Sequence, residues 1–207
     1  MTRILTGAAL GISALVLASC GASVAIGTGA TVTRTVLQER STMDALRDTE
    51  IQISLNNRFL NHSTGLFADV STNVIEGRVV LTGSVPARED KVAATQLAWE
   101  TPGVTTVTDE LTVAEDSGAV AYAEDAWISN RIRLDLLTDT GISSVNFNVE
   151  TVDKVVHPTG IAGSQKELGL VIDHAARIPG VARVVSHVLT IDDPRRQVTS
   201  TGALTTG

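Results

Sequence analysis

Apolar residues recur along the chain with a period that switches between 3.6 and 2. Ile51, Leu55 and Phe59 fall at i, i+4 and i+8, one face of a helix that Asp44 or Asp48 can start. Phe67 through Val74 alternates, Glu76-Gly77 forms a turn, and a second alternating run covers Val79 to Val85, so a hairpin is expected. Pro86 opens a helix to about Glu100, Pro102-Gly103 stops it, and a last strand runs from Val104 to Val113. The order α-β-β-α-β predicts an α+β unit: one small three-stranded sheet with two helices covering one face.

The same pattern returns 77 residues later. Gly83 recurs as Gly160, Pro102-Gly103-Val104 as Pro179-Gly180-Val181, and Ile51 and Val79 as Ile128 and Val156. The partner first helix uses Ile128, Ile132 and Leu136, the partner second helix spans Ser164 to Ile178, and the last strand covers Val181 to Ile191. A period this long exceeds a solenoid unit and fits two copies of one small domain. The predicted domains are 44–115 and 122–193, joined by a hinge over 116–121. Each is small enough for its core to be marginal, so mutual packing is expected.

Ahead of the repeats, residues 1–19 carry one basic residue, Arg3, then an apolar stretch from Ile4 to Leu17, the layout of a secretory signal. Leu17-Ala18-Ser19-Cys20 resembles the lipobox of bacterial lipoproteins, and Cys20 is the only cysteine. That resemblance implies lipid attachment at Cys20 with cleavage before it. Two or more acyl chains, at about 0.8 kcal/mol per buried methylene, anchor stably where one does not. Gly21 stands where an aspartate would signal inner-membrane retention, which points to the outer membrane. Residues 20–43 read as the lipidated cysteine and a tether, and 194–207 as a disordered tail.

Charge narrows the partners. The whole chain has a formal net charge of −7, and loss of Arg3 with the signal makes it one unit more negative. Bulk nucleic-acid binding is excluded, and attraction to an anionic membrane would have to be local. No nucleophile elbow, phosphate-binding loop, dinucleotide fingerprint or His-Glu-x-x-His motif occurs. His62, His157, His174 and His187 fall in different predicted elements without close ligand spacing, so neither catalysis, metal nor cofactor is expected.

Gly77 through Val85, a helix, then Pro102 through Val107 with Leu111 and Val113, resembles the BON domain of bacterial envelope proteins. Lipobox plus two such domains is similar to dual-BON outer-membrane lipoproteins. The resemblance implies a role in envelope integrity, with anionic phospholipid bound through the second domain. Gly77, Gly83, Gly103, Gly160 and Gly180 are then structural, supplying positive φ in turns and at the strand-to-helix corner. The second copy departs from the pattern. Lys154 replaces Gly77, and Pro158 replaces Leu81, which predicts an edge strand or bulge there.

Trp127 stands where the first copy has Glu50. With Arg131 and Leu134 it forms a stripe at i, i+4 and i+7, and Arg133 is near in sequence. An indole and a leucine able to enter a head-group region, beside arginines able to meet phosphate, suit a peripheral lipid surface. Trp127 packed between the domains, or into its own core, is the other reading. Trp99 lacks basic neighbours of this kind and is expected in core or interdomain packing. The alternative function is an adaptor that recruits outer-membrane assembly or cell-wall proteins, and its apolar patch would lie elsewhere, on a sheet face or an edge strand.

Overall fold

The computed structural model describes residues 42–114 and 119–196. The signal segment, Cys20, the tether up to Ser41, residue 115, residues 116–118 of the hinge and 197–207 of the tail lie outside them. The first unit runs α1 (Thr42–His62), α2 (Thr64–Asp69), β1 (Val70–Ile75), β2 (Arg78–Val85), α3 (Arg88–Trp99) and β3 (Thr106–Val113). In the second come α4 (Ala119–Thr138), a 3-10 turn (Ser144–Asn146), β4 (Phe147–Val152), β5 (Val155–Ala162), α5 (Gln165–Arg177), β6 (Arg183–Val184) and β7 (His187–Thr190). In both units the hairpin is antiparallel, and the strand after the helix returns parallel on the far side of the central strand, β2 or β5.

The helical stripes are buried as their spacing requires. Ile51, Leu55 and Phe59 pack on Val79, Leu81 and Val85, and Ala94 and Ala98 let α3 lie close to the same face. Ile128, Ile132 and Leu136 do the same over Val149 and Val156, with Val171 and Ala175 from α5. Removing a ring such as Phe59, which is fully buried, costs about 3–5 kcal/mol in transfer and cavity energy.

Both hairpins close through two-residue turns in which each central residue has positive φ, the geometry that matches strand twist. In the first these are Glu76 and Gly77, at 53° and 72°; in the second, Asp153 and Lys154, at 51° and 63°. One carboxylate on the preceding helix stabilises each turn. Glu76 and Gly77 N–H donate to the two oxygens of Asp48 at 2.8 and 2.9 Å, and Asp153 and Lys154 N–H donate to those of Asp125 at the same two distances. Asp48 and Asp125 are 77 residues apart, so the repeat preserves the clamp. It also holds Lys154 in a conformation that otherwise favours glycine.

Four expectations need correction. The alternation from Phe67 to Val74 is only half strand, because Ser63 caps a short helix by accepting the Leu66 N–H at 2.9 Å, and β1 starts at Val70. Gly83 and Gly160 do not turn a strand-to-helix corner. They sit inside β2 and β5, with φ of 134° and 151°, where a Cβ would meet the carbonyl oxygens of Asp69 at 2.1 Å and Asn146 at 2.3 Å. Pro158 lies in the central strand, not an edge, and neither strand bulges; the parallel ladder breaks beside it, splitting the last strand into β6 and β7. Residues 194–196, expected in the tail, are held to the fold, since Arg196 donates to Glu76 of the first unit at 2.7 Å and to the Ile191 carbonyl at 2.8 Å.

Each sheet carries its own helices on one face only, and the two remaining faces meet. Asn73, Ile75, Arg78, Val80, Thr106 and Thr108 of the first sheet share a cleft with Thr159, His187 and Leu189 of the second. Leu189 and Ile161 are 2% and 3% exposed although neither belongs to the core under the second unit's helices. Thr82, Thr159 and His157 are buried in the same layer. At its margin the Thr112 hydroxyl donates to Asp153 at 3.3 Å.

Gly83→Ala and Gly160→Ala are each expected to destabilise the chain by about 2 kcal/mol or more, because either the strand or the approaching carbonyl must move. Urea melts check this, and unchanged midpoints would remove the close-approach explanation.

Candidate functional site

The site begins with the surface of α4 turned away from its core. At about 100° per residue, Leu134 lies within about 20° of Trp127 around the helix and Arg131 within about 40°, whereas Ile132 is about 140° away. Trp127 is 55% exposed and Leu134 57%, and the exposed Val120 and Leu137 extend the apolar surface along the helix. Arg131 stays on this face, paired with Asp135 at 3.3 Å and more than half exposed. Trp127 therefore neither fills its own core nor is sealed between the domains.

Arg133 does not join this group. It lies about 120° round the helix from Trp127 and reaches the edge strand β4, where Nη2 donates to the Val149 carbonyl and meets Glu150 Oε1 at 3.3 Å. Nη1 donates to Asn130 Oδ1 at 3.1 Å. Burial pushes the Glu150 carboxyl above its ordinary value, and the Arg133 guanidinium works in the opposite direction. Spacing alone could not separate the two arginines. They flank Ile132 at about 100° on either side, and only the position of β4 takes Arg133 off the exposed face.

Trp99 is also exposed, at 54%, contrary to the packing expected of it. With Val92, Thr95, Leu111 and Val113 it lines a cleft of about 470 Å³ between α3 and the edge strand β3, flanked by Arg88 and Lys91. On α1 the exposed Leu46, Ile53 and Leu60 repeat every seven residues. Among the described residues no helix is long and apolar enough to cross a membrane.

One further cluster escaped the linear reading. Glu110 of β3, His157 of β5 and His187 of β7 place one ligand-type atom each within 4.8 Å of one another. The His157 and His187 rings stack with planes 4° apart and centroids 5.8 Å apart, and His187 Nε2 stands 3.4 Å from Glu110 Oε1. Burial lowers both imidazoles below their ordinary value, and the Glu110 carboxylate acts in the opposite sense. The strand pattern held the clue: 156 and 188 are core positions, which puts 157 and 187 together on the opposite face. His174 is elsewhere, paired with Asp139 at 2.8 Å.

Two copies of one α+β unit, packed through their sheets and presenting helices outward, define a tandem-domain protein of the α-β-β-α-β class. Residues 47–115 and again 124–191 match the BON domain, and the chain belongs to the BON domain family. It is 38% identical over 142 residues to an uncharacterized protein in the gshII 5' region of Anaplasma centrale, covering 68% of this chain and 93% of that one. Identity is 27% over 171 residues to the outer membrane lipoprotein DolP of Haemophilus influenzae, with 82% and 87% covered. Against osmotically-inducible protein Y of Escherichia coli it is 28% over 145 residues, covering 69% and 72%.

Arg133→Ala is expected to destabilise the fold by about 1–2 kcal/mol, since it leaves the half-buried Glu150 without its countercharge and the Val149 carbonyl without this donor. The urea midpoint measures it. An unchanged midpoint would mean that Arg133 contributes nothing to holding α4 on β4.

Proposed function

We propose that this chain is a lipid-anchored binding protein of the periplasmic face of the outer membrane, and that α4 of its second domain contacts anionic phospholipid. The observation that carries the reading is the exposed stripe of Trp127 and Leu134, with Arg131 beside it, on the face of α4 opposite its core. The indole and leucine supply area for the head-group region, and the guanidinium can exchange Asp135 for a phosphate oxygen. Arg133 is left out of the contact because it is held by β4. The lipobox ending at Cys20 supports the anchor, and the name of the Haemophilus influenzae relative agrees with it. Its work is binding in support of envelope integrity, without catalysis.

An adaptor for outer-membrane assembly or cell-wall proteins is the second reading. The cleft of Val92, Trp99 and Val113 beside edge strand β3 favours it, since an extended segment of a partner could lie there.

Cys20→Ser is expected to abolish incorporation of radiolabelled palmitate, leaving the protein soluble in the periplasm or uncleaved at the inner membrane. Wild-type protein that takes up no label would end the lipoprotein assignment.

Trp127→Glu separates the two functional readings. In the chain from Gly21 onward it is expected to keep the wild-type melt, because the first copy has glutamate at this position. Flotation with vesicles containing anionic lipid is expected to fall by about tenfold or more, from lost apolar area worth about 2 kcal/mol and an added negative charge. Equal flotation of variant and wild type would leave the adaptor; a collapsed melt would show that Trp127 is a packing residue.

A further inference from the structure

We propose that Glu110, His157 and His187 form an interdomain binding site for a divalent transition-metal ion of the zinc type. Two imidazoles and a carboxylate are the donor set such ions take, and three protein ligands leave a fourth position for water. The donors come from both domains: Glu110 from β3 of the first, the histidines from β5 and β7 of the second.

The site is built, not a chance meeting of surface groups. His157 is 4% exposed, and its Nδ1 has no hydrogen-bond partner; His187 Nε2 is likewise buried and makes no hydrogen bond, with the Glu110 carboxylate 3.4 Å away. Two orphaned imidazole nitrogens in one buried layer are costly unless something ligates them. The ligand atoms span up to 4.8 Å, whereas tetrahedral coordination at about 2.0–2.1 Å needs about 3.3 Å. One imidazole must turn out of the parallel stack to bring both nitrogens onto a single ion; pairing with β4 holds the backbone at His157 and pairing with β7 holds it at His187.

A cleft of about 90 Å³ reaches His187 of the three ligands, with Arg78 and Arg195 also in its wall. Arg183 near His157 opposes a cation, and the Glu110 carboxylate offsets it. A bound ion would join the two sheets directly. The site lies between the domains, apart from the outer face of α4, so it stands or falls independently of the lipid reading.

The test uses the full chain in detergent, stripped with a chelator and titrated with Zn2+ by calorimetry, with thermal melts alongside. One equivalent is expected to bind and raise the melting temperature. Glu110→Gln, His157→Gln and His187→Gln are each expected to weaken binding by about tenfold or more, while His174→Gln leaves it unchanged. Wild-type protein that binds no Zn2+ overturns the proposal, as does binding that survives His157→Gln or is lost instead with His174→Gln. Where a substitution unfolds the stripped chain, Co2+ added to wild type decides. A four-coordinate visible spectrum displaced by Zn2+ supports the site, and the spectrum of hydrated Co2+ overturns it.

Discussion

The structure depends on two β-sheets sharing the faces that their own helices leave bare. A two-layer unit of about 70 residues buries too little surface to be comfortably stable alone, and here each unit has a second sheet face to cover. Ile161 and Leu189 are sealed there, outside the core beneath α4 and α5. The layer is also strongly polar, with Thr82, Thr159, His157 and Glu110 in it. Neither domain is a free bead on a string. The Arg196 to Glu76 ion pair adds a tie from the chain's last described residue to the first hairpin.

Much of this was legible because periodicity survives in helices and duplicated glycines survive in strands. Ile51, Leu55 and Phe59 and their partners were assigned to cores from spacing alone, and they are buried. What failed was information that sequence does not hold locally. The alternation beginning at Phe67 is genuine, but Ser63 offers the chain a helix cap that wins over it. Pro158 looked like an edge residue because a proline cannot donate. The fold keeps it central and gives up part of the ladder to β6 and β7. The α4 stripe was half legible: Trp127, Arg131 and Leu134 share a face, whereas the destination of Arg133 depended on where β4 lay. The histidine pair needed both strand parity and a second domain.

Sheet-to-sheet packing also decides which surfaces can meet anything else. With the sheets inside, the helices face outward, and the outer faces of α1 and α4 have diverged. In the first copy Glu50 stands among Leu46 and Ile53, while in the second an indole occupies the corresponding position. Duplication lets the corresponding exposed position carry a carboxylate in one copy and an indole in the other, on closely similar scaffolding. The two aspartate clamps show how closely that scaffolding was kept.

Glu110 and His187 are themselves corresponding positions, 77 residues apart, and they face each other across the domain boundary. A short contact between equivalent residues arises close to an axis of pseudo-twofold symmetry. In a dimer of identical chains that place must hold two copies of the same side chain, carboxylate against carboxylate or imidazole against imidazole. Fusing the copies into one polypeptide lifts the restriction: the centre of a nearly symmetric interface can be chemically one-sided, an acid on one half and a base on the other.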